Sequence, residues 1–200
     1  MLSGHLNSVN DVTISTDGRL IASAGKDRCI KLWSLRSGNL IHTLKGHTRE
    51  VNSVEIAPNQ RTVISAGGDS CVKVWDTKTG ELVETFSEHG NSVTAIAIHP
   101  NGKYMASASS DKTIKLWDCR TGKNITTFTG HSRAVTDVSF STDGKTIASA
   151  SDDQTIKLWN VATGEEIKTL KGHISRVITV SFSPDGKTIA SGSGDGMIKI

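Results

Sequence analysis

Histidine, serine and aspartate recur together along this chain. These three could build a hydrolytic triad, with serine as nucleophile, histidine as general base and aspartate orienting the imidazole. His5, His47, His89, His131 and His173 stand 42 residues apart. Asp27, Asp69, Asp111, Asp153 and Asp195 follow each histidine at one fixed distance, and Trp33, Trp75, Trp117 and Trp159 follow at another. A serine-rich run precedes each aspartate. A catalytic triad is needed once, not in every copy of a repeat, so the recurrence argues for a structural role.

Other motifs with chemical potential fail on inspection. Gly144-Lys145-Thr146 and Gly186-Lys187-Thr188 resemble the end of a phosphate loop, but Ser139 and Ser181 stand where its first glycine belongs. No His/Cys cluster has zinc spacing, and no metal or cofactor is expected. The three cysteines contain no Cys-x-x-Cys pair. Cys29 and Cys71 share a slot held elsewhere by Thr113, Thr155 and Met197, which reads as a packing position. Cys119 falls in a turn, where exposure is expected. His42 and His99 lie outside the periodic set and read as surface or packing residues. Asn124-Ile125-Thr126 is a glycosylation sequon with nothing to route the chain to a secretory path.

The elements that must position these residues are short strands. In the fourth repeat, residues 135–140, 146–150, 155–159 and 166–170 alternate or run apolar and are separated by tight turns. The other repeats map onto this pattern, and the fifth stops within its third strand. No window carries helical periodicity. Turns this short require antiparallel neighbours. Asp17-Gly18, Asn101-Gly102, Asp143-Gly144 and Asp185-Gly186 place glycine where a hairpin wants positive φ. Asn59-Gln60 breaks that rule, so a strained or longer turn is expected there. A period in this range marks stacked supersecondary units, none able to bury its apolar faces alone.

Composition bounds the function classes. A formal charge of +3 leaves no nucleic-acid footprint, and no apolar run reaches the ~20 residues of a membrane span. Met1-Leu2-Ser3 leads straight into the first repeat, with no room for a signal peptide, so a cytoplasmic location is expected.

Gly-His, then Asp, then Ile-Lys-Leu-Trp-Asp at this spacing resembles the WD40 repeat family. The resemblance covers essentially the whole chain, although Ser34 and Asn160 replace the Asp after Trp and Glu88 replaces the Gly before His89. It implies an all-β propeller of four full four-stranded blades, at about residues 3–44, 45–86, 87–128 and 129–170, plus an incomplete fifth at 171–200. It also implies a buried relay in which tryptophan donates to serine, serine contacts histidine and histidine contacts aspartate. The sets are Trp33, Ser23, His5 and Asp27; Trp75, Ser65, His47 and Asp69; Trp117, Ser107, His89 and Asp111; Trp159, Ser149, His131 and Asp153; and, without tryptophan, Ser191, His173 and Asp195.

Function is then expected where repeats differ. The residues just after each histidine (6–8, 48–50, 90–92, 132–134 and 174–176) and the one just before each aspartate vary freely. In the resembling family these loops open on the top face, which binds peptides and proteins. Lys26, Arg49, Arg133 and Arg176, with Asn91 and with Glu50 and Asp152 as counterweights, are the candidate binding residues. Arginine suits a bidentate grip on carboxylate or phosphate, so an acidic or phosphorylated protein or peptide partner is expected, without nucleic acid or membrane. The reading is a non-catalytic interaction scaffold. Its alternatives are part of a larger regulatory or signalling protein with a catalytic domain elsewhere, and an enzyme at the channel mouth. The three-stranded fifth repeat leaves three expectations open: a fragment of a longer propeller, a five-bladed ring, or edge pairing with another copy.

Overall fold

The computed structural model describes residues 2–200. Met1, part of the expected lead-in to the first repeat, lies outside them. The described residues form nineteen strands and no helix. The chain divides into two compact units, residues 1–96 and 97–200.

The first unit holds two complete antiparallel sheets. One contains β1 (Val9–Ile14), β2 (Leu20–Gly25), β3 (Cys29–Ser34) and β4 (Leu40–Lys45) in that order; the other contains β5 (Val51–Ile56), β6 (Thr62–Gly67), β7 (Val72–Asp76) and β8 (Leu82–Phe86). The boundary between units falls inside β9 (Val93–Ile98). The third sheet continues with β10 (Tyr104–Ser109), β11 (Thr113–Asp118) and β12 (Asn124–Thr129). In the second unit, β13 (Val135–Phe140), β14 (Thr146–Ser151), β15 (Ile156–Asn160) and β16 (Glu166–Leu170) form the fourth sheet. The fifth has three strands, β17 (Val177–Phe182), β18 (Ile189–Ser193) and β19 (Ile198–Lys199).

The middle strands bury both faces, as the small-residue runs Ala22-Ser23-Ala24 and Ala148-Ser149-Ala150 permit; the outermost strands β4, β8, β12 and β16 keep polar positions in water. In the first unit, Ala22, Ala24, Ile30 and Leu32 of one sheet pack on Val51, Val54, Ile56 and Trp75 of the next. In the second, Ala148, Ala150 and Ile156 pack on Val177 and Val180.

Polar ties accompany this packing, and they arise from a feature the alternation does not reveal. The pairing of β1 with β2 shifts register between Val9 and Asp11, leaving Asn10 as a bulge. Asn10 Nδ2–H donates to Val51 O at 2.8 Å, and the adjacent Asp11 carboxylate accepts the Val54 N–H at 2.9 Å. The same bulge puts Asn52 on Val93 O at 2.8 Å. In the second unit it puts the Thr136 hydroxyl on Val177 O at 2.7 Å, while Asp137 accepts the Val180 N–H at 2.9 Å.

The expected anomaly at Asn59-Gln60 is half right. The turn is not longer: Gln60 N–H donates to Ala57 O at 2.7 Å, as Gly18 N–H does to Ser15 O at 2.8 Å. It is strained instead, with Gln60 at φ 61° where Gly18 sits at 68°. A second left-handed position went unforeseen. The residue after each repeat aspartate has positive φ, and in four repeats it is not glycine: Arg28, Ser70, Lys112 and Gln154.

Candidate functional site

The strand and turn geometry brings the periodic polar residues together. In the first repeat, β2 carries Ser23, β3 carries Trp33, the turn between them carries Asp27, and the loop before β1 carries His5. Trp33 Nε1–H donates to Ser23 Oγ at 3.0 Å. Ser23 Oγ lies 2.8 Å from His5 Nε2, and His5 Nδ1 lies 2.9 Å from Asp27. An ionised carboxylate only accepts, so Nδ1 carries the proton and Nε2 accepts the serine hydroxyl proton. Asp27 also accepts the N–H of Leu6 at 2.9 Å and that of Cys29 at 3.3 Å. One carboxylate thus pins the histidine loop and the β2–β3 turn.

The second repeat repeats this through Trp75, Ser65, His47 and Asp69, at 2.8, 2.8 and 2.9 Å. The fourth does so through Trp159, Ser149, His131 and Asp153, at 2.8 Å for each link. In the fifth, Ser191, His173 and Asp195 are joined at 3.0 and 2.8 Å, with no tryptophan. In the third, Trp117 donates to Ser107 at 2.8 Å, and His89 is buried.

The order serine, histidine, aspartate matches a hydrolytic triad, but the surroundings do not. Ser65, Ser107 and Ser149 have no solvent exposure. The hydroxyl already accepts an indole N–H and donates to imidazole, so its hydrogen-bonding capacity is largely spent. Burial lowers the affinity of His47 and His131 for a second proton, against the opposing pull of Asp69 and Asp153. Burial would raise the Asp153 pKa, yet the Thr155 hydroxyl, His131 and the Ser132 N–H overcome it and hold it at about 2. The arrangement keeps neutral imidazole against ionised carboxylate and ties loops together.

Two details escaped the sequence reading. The slot of Cys29, Cys71, Thr113 and Thr155 is not purely apolar: Thr155 Oγ1–H donates to Asp153 at 2.6 Å, and Cys29 Sγ reaches Asp27 O at 3.5 Å. The residue at the end of β2 and β6 is glycine for a local reason. A Cβ on Gly25 would lie 2.6 Å from both Asp27 and His5, and one on Gly67 would collide with Asp69 and His47. Where serine stands instead, as at Ser151, His131 engages only one aspartate oxygen, and Ser151 Oγ accepts the Asp153 N–H at 3.0 Å while donating to Ala134 O at 2.8 Å.

Among the remaining expectations, Cys119 is half-buried rather than exposed, and burial pushes its thiol up to about 12. His42 Nε2–H donates to Lys78 O at 3.0 Å, and His99 Nε2–H donates to Gly144 O at 3.1 Å. Among the described residues, no group of three or more His, Cys, Asp or Glu side chains is placed to hold a metal ion. Among the described residues, no helix is long and apolar enough to cross a membrane.

The candidate binding residues fall into two sets, one per unit. In the first unit Lys26, Arg49 and Asn91 are exposed and Glu50 is half-buried; in the second Arg133 and Arg176 are exposed and Asp152 is half-buried. The two variable loops of a repeat are joined. Lys26 N–H donates to Ser8 O at 2.9 Å, Gly68 N–H to Glu50 O at 2.8 Å, Asp152 N–H to Ala134 O at 3.0 Å and Gly194 N–H to Arg176 O at 2.9 Å. Asp152 Oδ1 is buried with no hydrogen-bond partner among the described residues.

Comparison with known proteins gives a consistent pattern. A family profile described as the WDR36/Utp21 second beta-propeller domain matches residues 42–198, more than three quarters of the chain. A second, described as WD domain, G-beta repeat, matches residues 1–34. "Ribosome assembly protein 4" of Chaetomium thermophilum is 58% identical over 40 residues, covering 20% of this chain and 8% of the relative. "Small ribosomal subunit protein RACK1" is 49% identical over 43 residues in Medicago sativa, 22% of this chain and 13% of the relative. The Caenorhabditis elegans protein of the same name is 51% identical over 41 residues, 20% of this chain and 13% of the relative. Each alignment is about one repeat long and spans a small fraction of the relative.

Proposed function

The chain belongs to the WD40 repeat β-propeller family, and from that premise we propose that it is a non-catalytic scaffold that binds protein or peptide partners through the loops after each histidine and before each aspartate. The observation that carries this reading is the backbone bond joining those two variable loops in the first, second, fourth and fifth repeats. It makes one shared edge out of the positions that differ most between repeats, while the polar set beneath holds that edge rigid. Rigid presentation lowers the ordering cost of binding.

The chemistry of that edge favours an acidic or phosphorylated segment. Arg49 in the first unit and Arg133 and Arg176 in the second present exposed guanidinium groups, which pair bidentately with carboxylate or phosphate. The relatives named for ribosome assembly and the small ribosomal subunit support a partner of protein class.

The test is capture of partners on immobilised chain, repeated with Arg49→Glu, Arg133→Glu and Arg176→Glu combined. Loss of an acidic or phosphorylated partner, at least tenfold in Kd, is the expected outcome. Unchanged affinity would remove these arginines from the binding surface. A fluorophosphonate probe is expected to leave Ser23, Ser65, Ser107, Ser149 and Ser191 unlabelled in the native protein.

A further inference from the structure

Two departures from the repeat pattern meet at one place in the second unit. The first lies on the β15–β16 hairpin. Ala162 stands where the other complete repeats carry Arg36, Lys78 and Arg120. Its methyl group borders a cavity of about 570 Å³, with Tyr104, Leu116 and Ile125 on one wall and Val161 beside Ala162 on the other. An apolar hollow of this size suits a ligand group that leaves water. Its walls are fixed: His99 Nε2–H donates to Gly144 O at 3.1 Å, and the His99 ring packs edge-on against Tyr104 and Phe140, at 5.8 and 5.1 Å between centroids. The second departure is on β12, the outermost strand of the third sheet. Edge strands commonly carry charges that keep other chains from pairing with them. β4 carries Lys45, β8 carries Glu84, and β16 carries Glu166 and Lys168, whereas β12 carries no charged side chain. Ile125 of this strand, 48% exposed, lines the cavity, so the uncharged edge and the hollow adjoin.

We propose that this place binds an extended peptide of a partner protein, its backbone paired along the open edge of β12 and one apolar side chain seated in the cavity. An extended strand sends alternate side chains to opposite faces, so a peptide on that edge turns every second one toward the fourth sheet. Main-chain hydrogen bonds supply affinity, and the cavity selects an apolar residue. A small apolar molecule would leave the β12 backbone groups unused. A second copy pairing through β12 has no apolar side chain to insert, since Phe128 is buried in its own core and Ile125 lines its own cavity. The cavity is bordered by the β13–β14 and β15–β16 hairpins. These lie at the opposite end of the strands from the β14–β15 turn that carries Asp153, so the site is separate from the arginine-bearing loops.

A phage-displayed library of random linear peptides tests this, depleted on the Ala162→Arg chain and then panned on the wild-type full chain. Ala162→Arg restores the side chain of Arg120 at the cavity, and Thr126→Lys gives β12 the charge that Lys168 gives β16. Both substitutions place a residue that another repeat already carries, and far-UV circular dichroism checks that the fold persists. The selected peptide is expected to bind wild type at least tenfold more tightly than Ala162→Arg or Thr126→Lys, and to bind Arg133→Glu with Arg176→Glu as it binds wild type. Amide exchange along β12 is expected to slow in the complex. A library that yields no binder, affinity that falls with the arginine pair instead of with Thr126→Lys, or β12 exchange unchanged by the peptide would overturn the proposal. So would β12 protection that grows with the concentration of the chain alone, which would give the edge to a second copy.

Discussion

A hydroxyl that bridges an indole N–H and an imidazole does more for stability than a typical hydrogen bond, because its removal strands two buried groups. Ser65→Ala leaves Trp75 Nε1–H and His47 Nε2 without their partner, and each stranded group costs about 1–3 kcal/mol. Among the described residues Ser191→Ala strands only His173. Chemical unfolding is expected to rank Ser65→Ala as the more destabilising of the two. Protonation tests the same residues. His47 and His131 are held below the ordinary imidazole value, so the unfolded chain takes up protons near pH 6.5 while the native chain does not. Their contribution is present above that pH and is lost as pH falls beneath it. Asp153, at about 2 in the native chain, adds a second loss from about pH 4 toward pH 2. Urea midpoints followed by tryptophan fluorescence are expected to hold steady above pH 7, decline below 6.5 and drop again below 4.

Turns and bulges set the accuracy with which each strand delivers its side chains. Gln60 occupies a left-handed turn position without glycine's freedom. Gln60→Gly is expected to stabilise by up to about 1 kcal/mol, the cost of that conformation for an L-residue, less the backbone entropy glycine loses on folding. Gly67→Ala is expected to act oppositely, by about 1–3 kcal/mol, because the new methyl group meets His47 and Asp69. Urea midpoints of the two variants check both signs. The strands and glycine hairpins were legible because side-chain alternation and positive φ are local demands. The bulge at Asn10 was not: one inserted residue in a six-residue strand is indistinguishable from imperfect alternation, and its purpose lies 41 residues away at Val51. The demand for glycine at Gly25 was silent in the sequence for the same reason, since the atoms that exclude a side chain there come from the His5 loop and the Asp27 turn.

Across the whole molecule, periodicity is what made the fold readable. Five histidines and five aspartates in one register identify repeated four-stranded sheets before any coordinate is known, and the matches to WD40 propeller families agree. The candidate binding residues were legible only as variation, because a partner imposes no internal spacing on the surface that meets it. Stability is not uniform along the array. Among the described residues the fifth sheet has three strands, and β19 is two exposed residues long. Amide exchange in the second unit is expected to be fastest across β18 and β19 and slowest across β14 and β15.

The central claim is that the recurrent histidines are buried brackets, each donating from Nδ1 and accepting at Nε2. Long-range ¹⁵N–¹H correlation spectra of the imidazole rings, recorded from pH 8 to pH 5, address it most directly. His47 and His131 are expected to keep the neutral Nδ1–H form throughout the range in which the protein stays folded. A native-state histidine in either position that picks up a proton near its ordinary value, or that carries its proton on Nε2, would contradict the account.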